Sequence, residues 1–427
     1  MQQNGALREH LAVAYTDPVR DPLWGHIYLS PGMMSLVSTA EFQQLSRIKQ
    51  LGPSYLVYPG ATHTRLNHSL GVFHVARRLL DRLAAHPEAP ALTLEGGTAF
   101  LAAALLHDVG HFPYTHGFRN LPLTEHEVLT GEIVREGALA TRIRERLKVD
   151  PAIVAAIVDE RVPVQESGEI TLYRRLLSGS MDPDKLDYLN RDAYFCGVPY
   201  GLQDIDFALS RIVPDGYRGI GLEETGVTAV ENILFSKYLM YRAVYWHRTV
   251  RVATAMIKKA VFLGLEEGAL APAELYGLDD ESFLTGIGGR SYPPFSLIRR
   301  VGTRNLLKPA ADVPYDPSHP VHRRLSDIRE RTILEDRALR AIGAATRTPI
   351  EPYEVIVDLP DPVSFEADFP IFSDGIAGAF VEKSVFTPEV VRRFTENLRR
   401  IRLIVPHRVA ETLSDPRALF LEILDAF

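Results

Sequence analysis

An imidazole followed directly by a carboxylate, His107-Asp108, ends the apolar run Phe100 to Leu106, and Gly110, His111, Pro113 and His116 come straight after it. Such a pair is ordinary in itself. Delivered together at the mouth of a helix that reads as buried, these polar ligands point to a bound metal ion. His111 and His116 follow close behind, and His126 begins the next helix. An imidazole titrates near pH ~6.5, so these groups could protonate a leaving oxygen or donate to charge as it develops.

Helices must carry such groups to one place. His68 opens an amphipathic helix in which Val72, Val75, Ala76, Leu79, Leu80 and Leu83 recur at spacings of three and four. A second helix, about Leu94 to Leu106, presents His107-Asp108. Asp182-Pro183 has the form of an N-cap with proline at the first helical position. The helix it starts places Asp184, Tyr188 and Asp192 on one face, with Lys185 beside them. A long helix from about Ala229 to Leu263 gives Lys237, Tyr241 and Tyr245 a shared face. Residues 1 to about 24 read as an extended lead-in, and Trp24 to Pro31 as a small strand or hairpin arm. After Gly264, prolines punctuate a loop-rich stretch before a charged helix over roughly Val321 to Ala344. Tyr353 to Leu359 and Val381 to Phe386 alternate like strands, Leu403 to Val405 reads as another, and Pro416 begins a last helix.

The composition bounds what these elements build. The 427 residues allow two or three domains, or one large helical core with appendages. Hydrophobic content of 46% and charged content of 24% are those of a soluble globular chain, and no apolar run is long enough to span a membrane. A single cysteine, Cys196, permits no intramolecular disulfide and fits a cytoplasmic setting. A net charge of −7 makes nucleic acid an improbable partner, because non-specific binding to phosphate backbones needs clustered positive surface.

Together with the stretches Arg47 to Val72 and Met181 to Gly201, the motif Ala104 to His116 resembles the HD-domain phosphohydrolases. More narrowly it is similar to their deoxynucleoside triphosphate (dNTP) triphosphohydrolase branch, over roughly Gly25 to Met256. The resemblance implies a mainly α protein with an HD-domain helical core over 25–264, and the sequence pattern on either side gives a lead-in over 1–24 and a smaller α+β region over 265–427 serving packing or oligomerisation. It implies that His68, His107, Asp108 and Asp184 ligate one divalent transition metal. Two nitrogens and two oxygens suit Mn, Fe, Co, Ni or Zn, with Mg possible on the substrate phosphates. It further implies His126 and His116 as acid/base groups, His111 as a phosphate contact, and Arg65, Lys185 and Lys237 as cations for the triphosphate. Gln50, Leu51, Tyr188, Asp192, Tyr241 and Tyr245 then surround the deoxyribose, and a site with no room for a 2′-hydroxyl rejects ribonucleotides.

The implied reaction splits a dNTP into deoxynucleoside and inorganic triphosphate. The alternatives are another HD-type nucleotide phosphohydrolase, or a slow nucleotide-binding regulatory protein. Relatives of this branch assemble as dimers or tetramers and bind an effector nucleotide between subunits, so a homo-oligomer is expected. Two departures matter. The positions that read guanine in the effector site are Ser38 and Ser46 here, which argues against a guanine-specific effector. Arg119 stands where the resemblance implies an acid that orients the catalytic histidine, so either Glu125 or Glu127 substitutes or the geometry of proton delivery differs.

Overall fold

The computed structural model describes residues 4–165, 167–365, 370–373 and 376–427. Its first element is α1 (Gly5–Val13), followed by the antiparallel hairpin β1 (Asp17–Asp21) and β2 (Gly25–Leu29). The expected extended lead-in is therefore corrected: Leu7 and Leu11 recur on one face of α1 and are buried in the main core. Removing such side chains from water stabilises by ~1.5–3 kcal/mol each, enough to order a short terminal helix.

The site is carried by a helical core. Helix α2 (Arg65–Ala85) starts after Thr64, whose N–H donates to Asn67 Oδ1 at 3.1 Å. It packs between α3 (Leu94–Leu106), which is buried almost all round as its unbroken apolar run requires, and a later helix that presents the acids. Next comes α4 (His126–Arg135). The acid-bearing helix is α5 (Pro183–Cys196), whose N-cap Asp182 accepts from the Lys185 N–H at 2.6 Å. Close approach of α5 to α2 depends on Gly71: a Cβ there would collide with the side chains of Asp187 and Arg191. Gly110 has the same role in the loop after α3, where a Cβ would run into the backbone of His126 and Thr130.

Strands β3 (Ile212–Pro214) and β4 (Ile220–Glu223) precede α6 (Val227–Met240) and α7 (Arg248–Glu266). The single long helix expected from Ala229 to Leu263 is thus corrected. A wide π turn over Tyr241–Tyr245 follows α6, and His247 caps α7 by accepting from the Thr249 N–H. Apolar periodicity runs on through the break and hides it, because one inserted residue shifts the helical phase without changing residue types.

Beyond α7, β5 (Lys308–Pro314) belongs to a three-stranded antiparallel sheet backed by α8 (Ile328–Thr346). This sheet also holds β6 (Ile356–Asp358), and the chain's last strand lies between β5 and β6. The next strands, β7 (Pro370–Ser373) and β8 (Ile376–Ala379), pair with each other, and β7 runs parallel to β4. Val381 to Phe386 is not a strand: a short helix, Phe380–Lys383, follows β8 and buries Phe380 in the main core. Strand β9 (Arg400–Val405) and helix α9 (Pro416–Asp425) complete the chain. The region after residue 264 is therefore a smaller α+β layer with its own apolar cluster, while Ile371, Phe380 and Phe386 reach back into the helical core. Mainly α describes the whole, and no helix among the described residues is long and apolar enough to cross a membrane.

Candidate active site

His68, from the first turn of α2, is buried and held by two carboxylates of α5: Nδ1 lies 2.9 Å from Asp187 and Nε2 2.9 Å from Asp184. Burial opposes its protonation, but the two hydrogen bonds outweigh that and push its pKa up to about 10. Asp187 accepts from Arg191 at 2.8 and 3.0 Å and from the Trp24 indole N–H at 2.6 Å. Arg191 in turn donates to Asp21 at 2.8 Å. A carboxylate behind a histidine fixes the ring's direction and raises its basicity as a ligand, so the hairpin and α5 jointly aim His68 Nε2 at Asp184.

His107, at the end of α3, donates through Nδ1 to the Ala104 carbonyl at 2.9 Å, leaving its buried Nε2 without a hydrogen-bond partner. An orphaned buried nitrogen is costly in a finished core. The ligand atoms of His68, His107 and Asp184 all lie within 4.8 Å of one another, and Asp108 Oδ1 is 3.3 Å from His107 Nε2. Three of the four expected ligands therefore come together from three helices, and the fourth, Asp108, adjoins them beside His107 while grouping with His111 and His126. The free nitrogen of His107, and the proton held between His68 and Asp184, both fit a place for a divalent cation.

A second group adjoins the first. Asp108 is 3.0 Å from His111 Nε2 and accepts from Arg65 at 2.7 Å. The rings of His111 and His126 stack at 3.9 Å, with His116 edge-on to His111 at 4.9 Å. Burial and the Arg65 guanidinium hold His111 well below the ordinary imidazole range, and burial with His116 nearby takes His126 down to about 3. Burial disfavours the Asp108 carboxylate, yet His111, His107 and Arg65 keep it ionised. Of the two acids left open by Arg119, it is Glu127 that contacts His126, at 3.1 Å from Nδ1, while Glu125 pairs with Arg161.

Both groups open into one cavity of about 370 Å³, whose wall also includes Gln50, Leu51, Tyr188, Asp192, Tyr241 and Tyr245. Asp192 is held on both oxygens, 2.8 Å from His63 Nε2 and 2.7 Å from the Tyr245 hydroxyl that donates to it. Gln50 Oε1 is buried and has no hydrogen-bond partner among the described residues. Lys185 and Lys237 do not join this wall. Lys185 donates to the Gly179 carbonyl and to Asp182, and Lys237 to the Ser364 carbonyl at 2.6 Å while lying over the Phe365 ring. Ser38 and Ser46 spend their hydroxyls on the carbonyls of Met34 and Gln43.

Sequence reasoning missed Asp187, although its place three after Asp184 and four before Arg191 was a usable signal. It also missed His63, Trp24, Asp21 and Arg191 as supports, and Lys49, Trp246, Arg251 and Asp361 as cavity residues. Nothing local marks the last two: Asp361 comes from the α+β layer and Arg251 is tied to it through Asp358.

Residues 65–177 match the HD domain family model, and residues 215–401 match that of the HD associated region. An uncharacterized protein of Methanocaldococcus jannaschii is 29% identical over 83% of this chain and 72% of its own length. An uncharacterized protein of Bacillus subtilis is 36% identical over 56% of this chain, and the match spans only 54% of that protein. Deoxynucleoside triphosphate triphosphohydrolase SAMHD1 of Danio rerio is 26% identical over 59% of this chain and 46% of its own. A hypothetical protein of Aquifex aeolicus shares the fold with a TM-score of 0.71 at 24% identity, over 94% of this chain and 99% of that one. A phosphohydrolase of Bacteroides thetaiotaomicron does so with a TM-score of 0.68 at 23% identity, over 91% and 99%.

Proposed function

Because the chain belongs to the HD-domain phosphohydrolase family, we propose that it hydrolyses deoxynucleoside triphosphates to deoxynucleoside and inorganic triphosphate by attack at the α-phosphorus. One observation carries the reading: a cation-ready cluster, a histidine group and a hydroxyl-reading wall share a single cavity of substrate size. His68, His107, Asp108 and Asp184 would hold one divalent ion, with Mn, Fe, Co, Ni and Zn all suited to the donor set. Such an ion supplies a water of lowered pKa and polarises a phosphoryl oxygen.

The chain's own side chains do the rest. Arg65 fixes the Asp108 carboxylate and presents remaining N–H groups to phosphate oxygen. His111 and His116 donate to the phosphates. His126, backed by Glu127, delivers a proton to the departing 5′-oxygen, since phosphate charge entering the cavity raises an imidazole pKa that burial depresses. Gln50 and Asp192 hold the 3′-hydroxyl. Leu51, Tyr188, Tyr241 and Tyr245 pack against the sugar and leave a 2′-hydroxyl without partner or room.

The placement of Lys185 and Lys237 away from the cavity wall favours a second reading, a nucleotidase releasing orthophosphate from a shorter phosphate chain. Incubation with each dNTP and NTP in Mn, Mg, Fe or Co, with identification of both products, separates the two. Inorganic triphosphate supports the first reading, and orthophosphate without triphosphate overturns it.

A further inference from the structure

The cations around the cavity differ in how far they are already spent. Arg65 is bonded to Asp108 at 2.7 Å, Lys49 to Asp280 at 3.1 Å and Arg251 to Asp358 at 3.2 Å through its Nε. Lys185 and Lys237, just outside the wall, are engaged by Asp182 and by the Ser364 carbonyl. Arg119 differs. Arg119 lines the cavity, and no described residue makes a hydrogen bond or ion pair with its guanidinium.

The backbone beneath that side chain is nevertheless fixed. Lys258 donates to the Arg119 carbonyl, Asn120 donates to Asp361 at 2.6 Å, and Gly117 abuts Thr254 of α7 so closely that a Cβ would press on its methyl group. Arg119 is near enough to His116, Tyr241 and Glu127 for its charge to act on all three. A guanidinium on an anchored turn, beside the histidines and with no hydrogen bond or ion pair among the described residues, is a preformed receptor for a phosphate group, which its planar fork engages with two parallel N–H bonds.

We propose that Arg119 is the principal polyphosphate-binding cation of this chain, taking over the work expected of Lys185 and Lys237. The residue that breaks the family's acidic pattern thereby becomes a substrate contact in place of an orienting acid, and Glu127 orients His126 instead. The inference rests on the cavity being the substrate site, and it is testable without turnover.

The test is calorimetric titration of the full-length, manganese-loaded protein with sodium tripolyphosphate, comparing wild type with R119A, R119K, K185A and K237A. R119A is expected to weaken binding ~10–100-fold, the range of one or two charge-assisted hydrogen bonds. R119K should retain part of the affinity as a point charge, and the two lysine variants should bind within about threefold of wild type. With a dNTP that is turned over, R119A should raise KM more than it lowers kcat. Unchanged tripolyphosphate affinity in R119A, or loss in K185A or K237A alone, overturns the inference. Arg119-dependent tripolyphosphate binding in a protein that hydrolyses no dNTP would uphold the inference while removing the dNTP reading.

Discussion

Two groups of three ionisable residues stand side by side in the cavity, His68/His107/Asp184 and Asp108/His111/His126, and each could by residue type and spacing hold a metal ion. Their surroundings are opposite. Two carboxylates face His68 and favour positive charge at the first group. In the second, Arg65 already occupies Asp108, and burial keeps His111 and His126 neutral. A set of imidazoles and acids is thus a cation site or a proton-transfer site according to which charges lie behind it.

The largest expected effect tests the first group. Asp184→Ala should leave the protein without stoichiometric metal by elemental analysis and without hydrolysis of any nucleotide. A variant with full metal and activity would break the contrast. For the second group, His126→Ala should lower kcat by ~10²–10⁴-fold, the range for loss of a general acid, while metal content stays at wild-type level. Loss of the ion in that variant would mean that the two groups form one centre.

A smaller effect sharpens the view that the first group is directed from behind. Asp187→Asn should weaken metal affinity ~10–100-fold, as removal of a carboxylate behind a ligating histidine does, read by competition with a metallochromic chelator. Wild-type affinity would reduce the chain Asp21–Arg191–Asp187–His68 to packing alone.

The smallest effect is in the pH dependence of stability of the metal-free protein, where the two groups have opposite signs. His68 titrates near 10 in the fold against an ordinary 6.5, so its contribution is full below pH 6.5 and is lost as pH rises through 10. His126 titrates near 3, so the unfolded chain binds the extra proton between pH 6.5 and 3, and stability falls as pH drops through that window. Denaturant unfolding across pH should show both limbs. Adding manganese should flatten only the alkaline one, because the ion takes the place of the His68 proton.

Much of the core was legible because its signals are local. Leu94–Leu106 was read at its observed bounds, since the apolar run Phe100 to Leu106 that ends it is a nearest-neighbour pattern. Asp182 as the cap of α5 was readable for the same reason. The break after Met240 was not, and it is this break that delivers Tyr241, Tyr245 and Trp246 to one cavity wall. The lead-in was misread because a nine-residue helix is marginal alone and forms here by packing Leu7 and Leu11 on the core.

The amino-acid sequence by itself determined the inventory: which side chains could ligate or transfer protons, which helices carry them, and that an arginine stands at position 119. Only the tertiary structure decided their states. It put Asp187 and Arg191 behind His68, spent Lys185 and Lys237 outside the cavity wall, left the Arg119 guanidinium without a partner among the described residues, and gave neighbouring imidazoles opposite charge preferences. The reason is physical: residue identity and helical phase are properties of adjacent residues, whereas protonation and pairing depend on distance and burial among groups that folding brings together from more than a hundred residues apart.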